Sequence, residues 1–384
     1  MENVADYKEI IEVIKDQGGE VFKYCYQCGK CDTVCPWNKV TKDFSMRKVV
    51  RQAVFGMTEI ETDEIWRCTT CGRCPDNCPR DVQQIKLTVA LRRVATEYGV
   101  FPQSVKPIRS IVGSLAGDGN PLNGERNKRK DWAKGLGVPK FNEEMEILYF
   151  PGCYICYDPR MKKVGEATVK ILKKAGVKFG ILGEKENCCG ESIRKTGEEE
   201  LFRELAKENI KNFIDAGVKK IVVSSPHCYH TFKNEYPDFC VNFEVMHITQ
   251  FIYELIQEGR LQLSGEYREN VTYHDPCYLG RHNKIFDEPR EILNSIKGII
   301  FRELQESREN SLCCGGGGGR VWMETEMQER FSNIRLEQAL EKNANVLVTA
   351  CPYCISMLED SRVTMNFEDK IEIKDITEIV AEVI

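Results

Sequence analysis

Two short stretches of this chain carry the same cysteine spacing, and that spacing constrains its first hundred residues more than any periodicity does. Cys25, Cys28, Cys31 and Cys35 form C-x2-C-x2-C-x3-C, closed by Pro36; Cys68, Cys71, Cys74 and Cys78 repeat it, closed by Pro79. Three thiolates at three-residue intervals can wrap three corners of a cube, and the proline then turns the chain away. Zinc sites use paired cysteines in a different pattern, so duplicated runs of this kind point to iron–sulfur ligation.

The pattern resembles that of bacterial two-cluster ferredoxins, in which the fourth cysteine of each run serves the other cluster. On that basis Cys25, Cys28, Cys31 and Cys78 are expected to hold one [4Fe-4S] cubane, and Cys68, Cys71, Cys74 and Cys35 its neighbour. A 32-residue insert separates the motifs. Asp43 or Ser45 could cap a helix there, with Met46, Val49, Val50, Ala53 and Val54 at helical period. Beyond Pro79, Val82, Ile85, Val89, Leu91 and Val94 suggest a second helix ending near Gly99. The helical form of the two-cluster fold is therefore expected, with Trp66 as packing.

The whole chain has 384 residues, enough for two or three domains. With 54 Lys+Arg against 59 Asp+Glu, its net charge of -5 argues against a general nucleic-acid binder. Residues 1–19 include Asp6, Glu9, Glu12 and Asp16 and show no secretory pattern, and no stretch approaches the roughly 18 apolar residues of a membrane span. With 19 cysteines, these features fit a reducing, cytoplasmic location in which metal engages the thiolates. Residues 99–146 read as a connector of limited structure, punctuated by Gly113, Gly117, Gly119, Pro121 and Gly124. Its basic run, Arg126, Lys128, Arg129 and Lys130, reads as a solvated face.

The remainder is a duplication. In the first half, strand-like Ile147–Phe150 runs into Cys153, and Val164, Ala167, Ile171 and Leu172 mark one face of a helix. Residues 177–182, Cys188-Cys189-Gly190 and a helix around 201–216 follow, and Lys220–Val223 leads to Ser225-Pro226-His227-Cys228. In the second half, 271–274 leads to Cys277, then Cys313-Cys314-Gly315, a helix around 323–340, and 345–349 before Cys351-Pro352-Tyr353-Cys354. The intervals match: 34 residues separate Cys153 from Cys188 and 35 separate Cys277 from Cys313, while 35 and 36 separate Cys189 from Ser225 and Cys314 from Cys351. Strands alternating with helices predict small parallel α/β units, whose ligands gather at the C-terminal ends of the strands.

The chain as a whole resembles the CCG-domain iron–sulfur proteins related to the catalytic subunit of heterodisulfide reductase. The likeness covers roughly residues 1–100 and 147–384. Its relatives include subunits associated with glycolate, lactate and glycerol-3-phosphate oxidation, with sulfite reduction, and with a benzoyl-coenzyme A reductase complex. The resemblance implies an α/β fold class: a helical ferredoxin-like domain (1–98), a connector (99–146), and two duplicated parallel α/β CCG domains (147–265 and 266–384). It also implies a noncubane [4Fe-4S] cluster on the complete motif of Cys277, Cys313, Cys314, Cys351 and Cys354. The first motif departs from the pattern. Cys153, Cys188, Cys189 and Cys228 match, but Ser225 stands where Cys351 stands, leaving a serine ligand, a four-cysteine cluster, zinc or a vestigial site open. Cys156 and Cys240 are extra thiols read as structural, although Cys156 lies close enough to complete a ligand set.

Two functions follow. In the first, electrons pass through the cubanes to the second CCG motif, where Cys277, Cys313, Cys314, Cys351 and Cys354 would serve a disulfide/thiol or related redox site. His274, His227 and His282 are then candidate proton donors. In the second, the chain is a non-catalytic relay between a flavoprotein and a larger reductase. Both expect redox partners, a flavoprotein or ferredoxin-like donor, in a hetero-oligomer with no membrane span of its own. The run Gly315–Gly319 lacks the strand–helix context of a dinucleotide loop and is expected to let the backbone pass close to a cluster.

Overall fold

The computed structural model describes residues 7–56 and 62–384, which divide into two compact units. The first contains the N-terminal region to Ser110 together with Ser192–Phe202 and Gly315–Phe331. These two segments begin just after the Cys188-Cys189 and Cys313-Cys314 pairs, so the units do not follow a sequential division of the chain.

In the first unit, the two cysteine runs follow one backbone path. Each opens on a left-handed residue, Gln27 or Thr70, and each turns at a left-handed glycine, Gly29 (φ 80°) or Gly72 (φ 82°), before a short helix. A side chain at the glycine would meet the steric penalty of that conformation, so glycine between the second and third thiols suits the loop. The insert folds as expected: Met46–Val54 is a helix, and the Ser45 hydroxyl caps it by accepting from Lys48 N at 3.1 Å. Met46, Val49, Val50 and Ala53 are buried. The second helix is Gln84–Glu97, followed by left-handed Gly99.

That helix supplies the tie of this unit. Arg92 is fully buried and donates to four backbone carbonyls: Ile65 (3.0 Å), Cys68 (2.8 Å), Lys195 (2.9 Å) and Gly318 (2.9 Å). Its guanidinium also lies 5.1 Å from the Trp66 ring centre, which accounts for that tryptophan as packing. One side chain thus holds the second cysteine run against both inserted segments.

The second unit carries two four-stranded parallel sheets. The first comprises β1 (Ile147–Phe150), β2 (Phe179–Gly180), β3 (Lys220–Val223) and β4 (Glu244–His247), in the order β2-β1-β3-β4. The second comprises β5 (Asn270–Tyr273), β6 (Ile300–Phe301), β7 (Val346–Thr349) and β8 (Glu372–Asp375), in the equivalent order β6-β5-β7-β8. Strands β1 and β7 are buried throughout, as expected of parallel strands covered on both faces. In each sheet the strand order reverses between the first and third strands, which makes a topological switch point where ligands collect.

Three expectations change. Residues 99–146 are more than a loose connector, because Lys106–Asp118 is a helix. Its glycines, Gly113 and Gly117, fall on an open face while Ile108, Ile111 and Leu115 are buried, so they do not interrupt it. Of 177–182, only Phe179–Gly180 pairs as a strand. The helix expected at 323–340 begins at Phe331, after the short turns Arg320–Trp322 and Met327–Glu329. The preceding segment is held elsewhere: Phe331 packs edge-on to Trp37 at 4.9 Å and Glu329 pairs with Arg67. Edge strands β4 and β8 have no counterpart in the sequence reading.

Arg92→Met keeps much of the bulk but leaves four carbonyls without their donor. Anaerobic denaturant unfolding followed by tryptophan fluorescence should show a loss of about 3 kcal/mol or more, with the second cysteine run affected first.

Candidate metal centres

The front motifs interleave. Cys25, Cys28, Cys31 and Cys78 line one small cavity, closed by Tyr26, Arg47 and Arg80. Burial pushes the Cys35 thiol upward, and the neighbouring charge is that of Cys71 and Cys68 from the other run. Cys74 is raised by burial, then by Cys68, Cys71 and Cys35. The fourth cysteine of each run therefore stands with the first three of the other. Cys28 is exposed, and Tyr24 and Tyr26 beside it are the exposed aromatics of this face.

The pentaglycine also enters this region. A methyl on Gly317 would meet the Thr69 carbonyl at 2.3 Å, and one on Gly318 would meet the Cys68 carbonyl at 2.6 Å. Their clearance is thus required by the backbone of the front unit's second cysteine run, a destination the sequence could not reveal.

In the second repeat, β5 runs into His274-Asp275-Pro276-Cys277, and β7 ends just before Cys351, the N-cap of helix Pro352–Thr364. Cys277 and Cys351 therefore flank the switch point. Arg335 donates to the Leu312 carbonyl at 3.2 Å, and Arg281 to the Ser311 carbonyl, which delivers Cys313 and Cys314 to the same end. All five sulfurs are buried; Cys354 lies 3.4 Å from Cys314, and Cys277 shares a hydrogen bond with Cys313. Contact with Cys313, then burial, raises the Cys277 thiol well above its ordinary range, and burial does the same for Cys354. A bound cation inverts that cost, because a coordinating thiol is deprotonated outright.

Cys351 behaves differently. Burial alone would raise it, but hydrogen bonds from Cys354 and His227 outweigh burial and bring it below the usual thiol range. His274 lies with Cys314 and Cys354 so that its nearest ring nitrogen and the two sulfurs are within 4.8 Å of one another. It is buried, and neither ring nitrogen has a hydrogen-bond partner. Burial, then the charge of Arg335, hold its pKa well below the ordinary value, so the ring is neutral. An unpartnered imidazole facing two thiols is placed to meet a group bound by them, as a ligand or as a proton donor. His282 is only partly buried and stacks on Tyr278 at 4.3 Å.

The first repeat assembles a chain of four sulfurs, Cys153 to Cys188 to Cys189 to Cys228. Ser225 is the N-cap of Pro226–His230, at the place Cys351 holds in the other repeat. The basic run expected to be solvated is only partly so. Arg129 is 1% exposed, with Nη1 3.5 Å from Cys153 Sγ and Nε 3.5 Å from Glu186. Its position in a run of charges masks its burial; no periodic signal separates it from its exposed neighbours. Cys156 is buried near Arg129, whereas Cys240 is exposed. The donor sets at the front and in the second repeat fit iron–sulfur clusters, since grouped cysteine thiols are the ligands such clusters take.

Comparison with known proteins agrees. Residues 21–82 match the 4Fe-4S dicluster domain family, and 147–233 and 271–359 match the cysteine-rich CCG domain family. The chain is 32% identical over 393 residues to one subunit of the dihydromethanophenazine:CoB--CoM heterodisulfide reductase of Methanosarcina barkeri, covering 93% of each chain. The chain belongs to the CCG-domain iron–sulfur family of heterodisulfide reductase. It is also 41% identical over 334 residues to the probable iron-sulfur-binding oxidoreductase FadF of Bacillus subtilis, covering 84% of this chain and 47% of that one. Over 335 residues it is 36% identical to the EtfAB:quinone oxidoreductase of Syntrophomonas wolfei, covering 83% and 46%. The chain thus spans about half the length of these last two relatives. Among the described residues, no helix is long and apolar enough to cross a membrane.

If the interleaving reflects ligation, Cys35→Ala should remove the cluster signal of the Cys68, Cys71 and Cys74 set, and Cys78→Ala that of the Cys25, Cys28 and Cys31 set. Electron paramagnetic resonance on anaerobically prepared protein reads this directly; loss confined to the mutated run's own set would contradict it.

Proposed function

We propose that this member of the heterodisulfide reductase family is an electron-relay component of a redox complex. Two [4Fe-4S] cubanes would be held in crossed ligation at the front, and a noncubane [4Fe-4S] cluster by Cys277, Cys313, Cys314, Cys351 and Cys354. The observation that carries this reading is the contrast in exposure. Cys28 is exposed, as are Tyr24 and Tyr26 just before it, whereas all five thiols of the second repeat are buried. An exposed edge suits exchange with a partner, and an enclosed set suits storage away from water.

Iron–sulfur clusters, when bound, supply one-electron transfer and storage at these positions. The chain's own residues do the rest. Arg281 and Arg335 orient the Cys313-Cys314 corner, His274 faces it with an unpartnered ring, and Arg129 offsets negative charge at Cys153. In the first repeat, four thiols beside a guanidinium support a four-thiolate centre, iron–sulfur or zinc, without Ser225. A flavoprotein or ferredoxin-like donor is the expected partner, and the relative named EtfAB:quinone oxidoreductase supports a place in such a chain of carriers.

A second reading, disulfide or thiol redox chemistry at the second repeat, is favoured by the near full-length match to the heterodisulfide reductase of Methanosarcina barkeri. Anaerobic purification with partners, metal and sulfide analysis, and a redox titration followed by paramagnetic resonance test both. At least three iron–sulfur signals, with the one lost in Cys354→Ala unaffected by added disulfide, support the relay. A third signal that changes on adding a disulfide supports the second reading, and two signals alone would overturn both.

A further inference from the structure

His227 belongs by sequence to the first repeat and by contact to the second. It follows Ser225-Pro226 where the complete motif has Tyr353 after Cys351-Pro352, so an imidazole replaces a phenol at that register. Strand β3 and the helix Pro226–His230 carry it to the switch point of the first sheet, where it is 5% exposed. Its Nδ1 lies 2.9 Å from Oε2 of Glu191, itself buried, directly after Cys188-Cys189-Gly190. One face stacks on Tyr278 at 4.2 Å and the ring also meets Tyr353 at 4.4 Å. With Nδ1 engaged, Nε2 is the ring nitrogen left over, and Tyr353, against which the ring packs, stands two residues after Cys351 at the start of the same helix.

The contacts around it are isologous. Tyr154, after Cys153, meets Tyr353 at 4.9 Å, just as Tyr278, after Cys277, meets His227. Each repeat thus presents the same two positions to the other, the arrangement of a pseudo-twofold pair. The symmetry is broken at one chemical point: the second repeat offers a tyrosine to the first, whereas the first offers a histidine to the second.

We propose that His227, held by Glu191, is a positioning residue for the second repeat's cluster, donating Nε2–H to the sulfur of Cys351. The repeat that lacks a thiolate at position 225 thereby tunes the repeat that has all five. This rests on the cluster assignment proposed above. A hydrogen bond to a ligating sulfur draws negative charge from it and favours the reduced, more negative state. Glu191, at 2.9 Å from Nδ1, fixes the ring's orientation. A tyrosine at 227 has no second atom with which to reach that carboxylate.

The test uses the full chain, purified anaerobically with its clusters, as wild type, His227→Phe, His227→Gln and Glu191→Gln. Iron and sulfide content and a redox titration followed by paramagnetic resonance are read for each. His227→Phe should retain its iron and leave both front signals in place. The third signal should change shape, with its reduction equilibrium falling roughly tenfold, about 59 mV for one electron. His227→Gln, which still offers an N–H, should recover part of the shift, and Glu191→Gln should move it the same way by less. An unmoved third signal in iron-replete His227→Phe would overturn the proposal, as would an unmoved one in Glu191→Gln where His227→Phe does not hold its iron. So would equal disturbance of all three signals with iron loss in both variants, since that marks a folding role only. Absence of the third signal from wild type overturns the cluster assignment itself, a different result from a third signal that does not move.

Discussion

Sulfur charge cannot be enclosed without opposite charge or donors beside it, and much of this molecule answers that constraint. Burial and contact with neighbouring thiols push many of its cysteines away from the thiolate form, so a set of four or five is stable only when a cation, a metal or directed N–H groups offset the charge. The charged partners sit accordingly. Arg129 reaches Cys153, Arg281 and Arg335 shape the corner before Cys313, and His227 meets Cys351. Arg92 holds the carbonyl of Cys68 rather than its sulfur, ordering the backbone that presents the thiol.

The duplication shows how one plan accommodates two sets of side chains. Both repeats use the same sheet order and bring their cysteines to the same switch point. Even the closing elements match: His247 and Asp375 each end an edge strand and cap the next helix with a reciprocal capping box. At the motif positions beyond the strand ends the repeats differ chemically, where Ser225 replaces a thiol and His227 a phenol. A parallel sheet tolerates this because its stability lies in the buried strands, whereas the residues beyond the strand ends are free to specialise.

The folded contacts also explain why some sequence signals mislead. The glycines after Cys314 read as clearance for a cluster, and the contacts add a demand that the sequence did not show: Gly317 and Gly318 lie against the carbonyls of Thr69 and Cys68 in the front unit's second cysteine run. Residues 323–330 carry helical composition but are held in turns by Trp37 and Arg67. Arg129 sits among exposed cations and is itself enclosed. In each case a contact distant in the chain overrides a local preference, which propensity and pattern cannot register.

The sequence by itself determined the class of cofactor, the duplication and the strand-end placement of the motifs, because ligand spacing and apolar period are local properties written in consecutive residues. Ser45 as a cap and Cys25 to Cys78 as thiol groups belong to that category. Only the tertiary structure decided which groups face the sulfurs from elsewhere in the chain: Arg129, His227 with Glu191, the unpartnered ring of His274, and the carbonyls that require Gly317 and Gly318. Such partners are selected by distance in the folded state, and charge and hydrogen bonding act over a few ångströms of space rather than over any fixed interval of sequence.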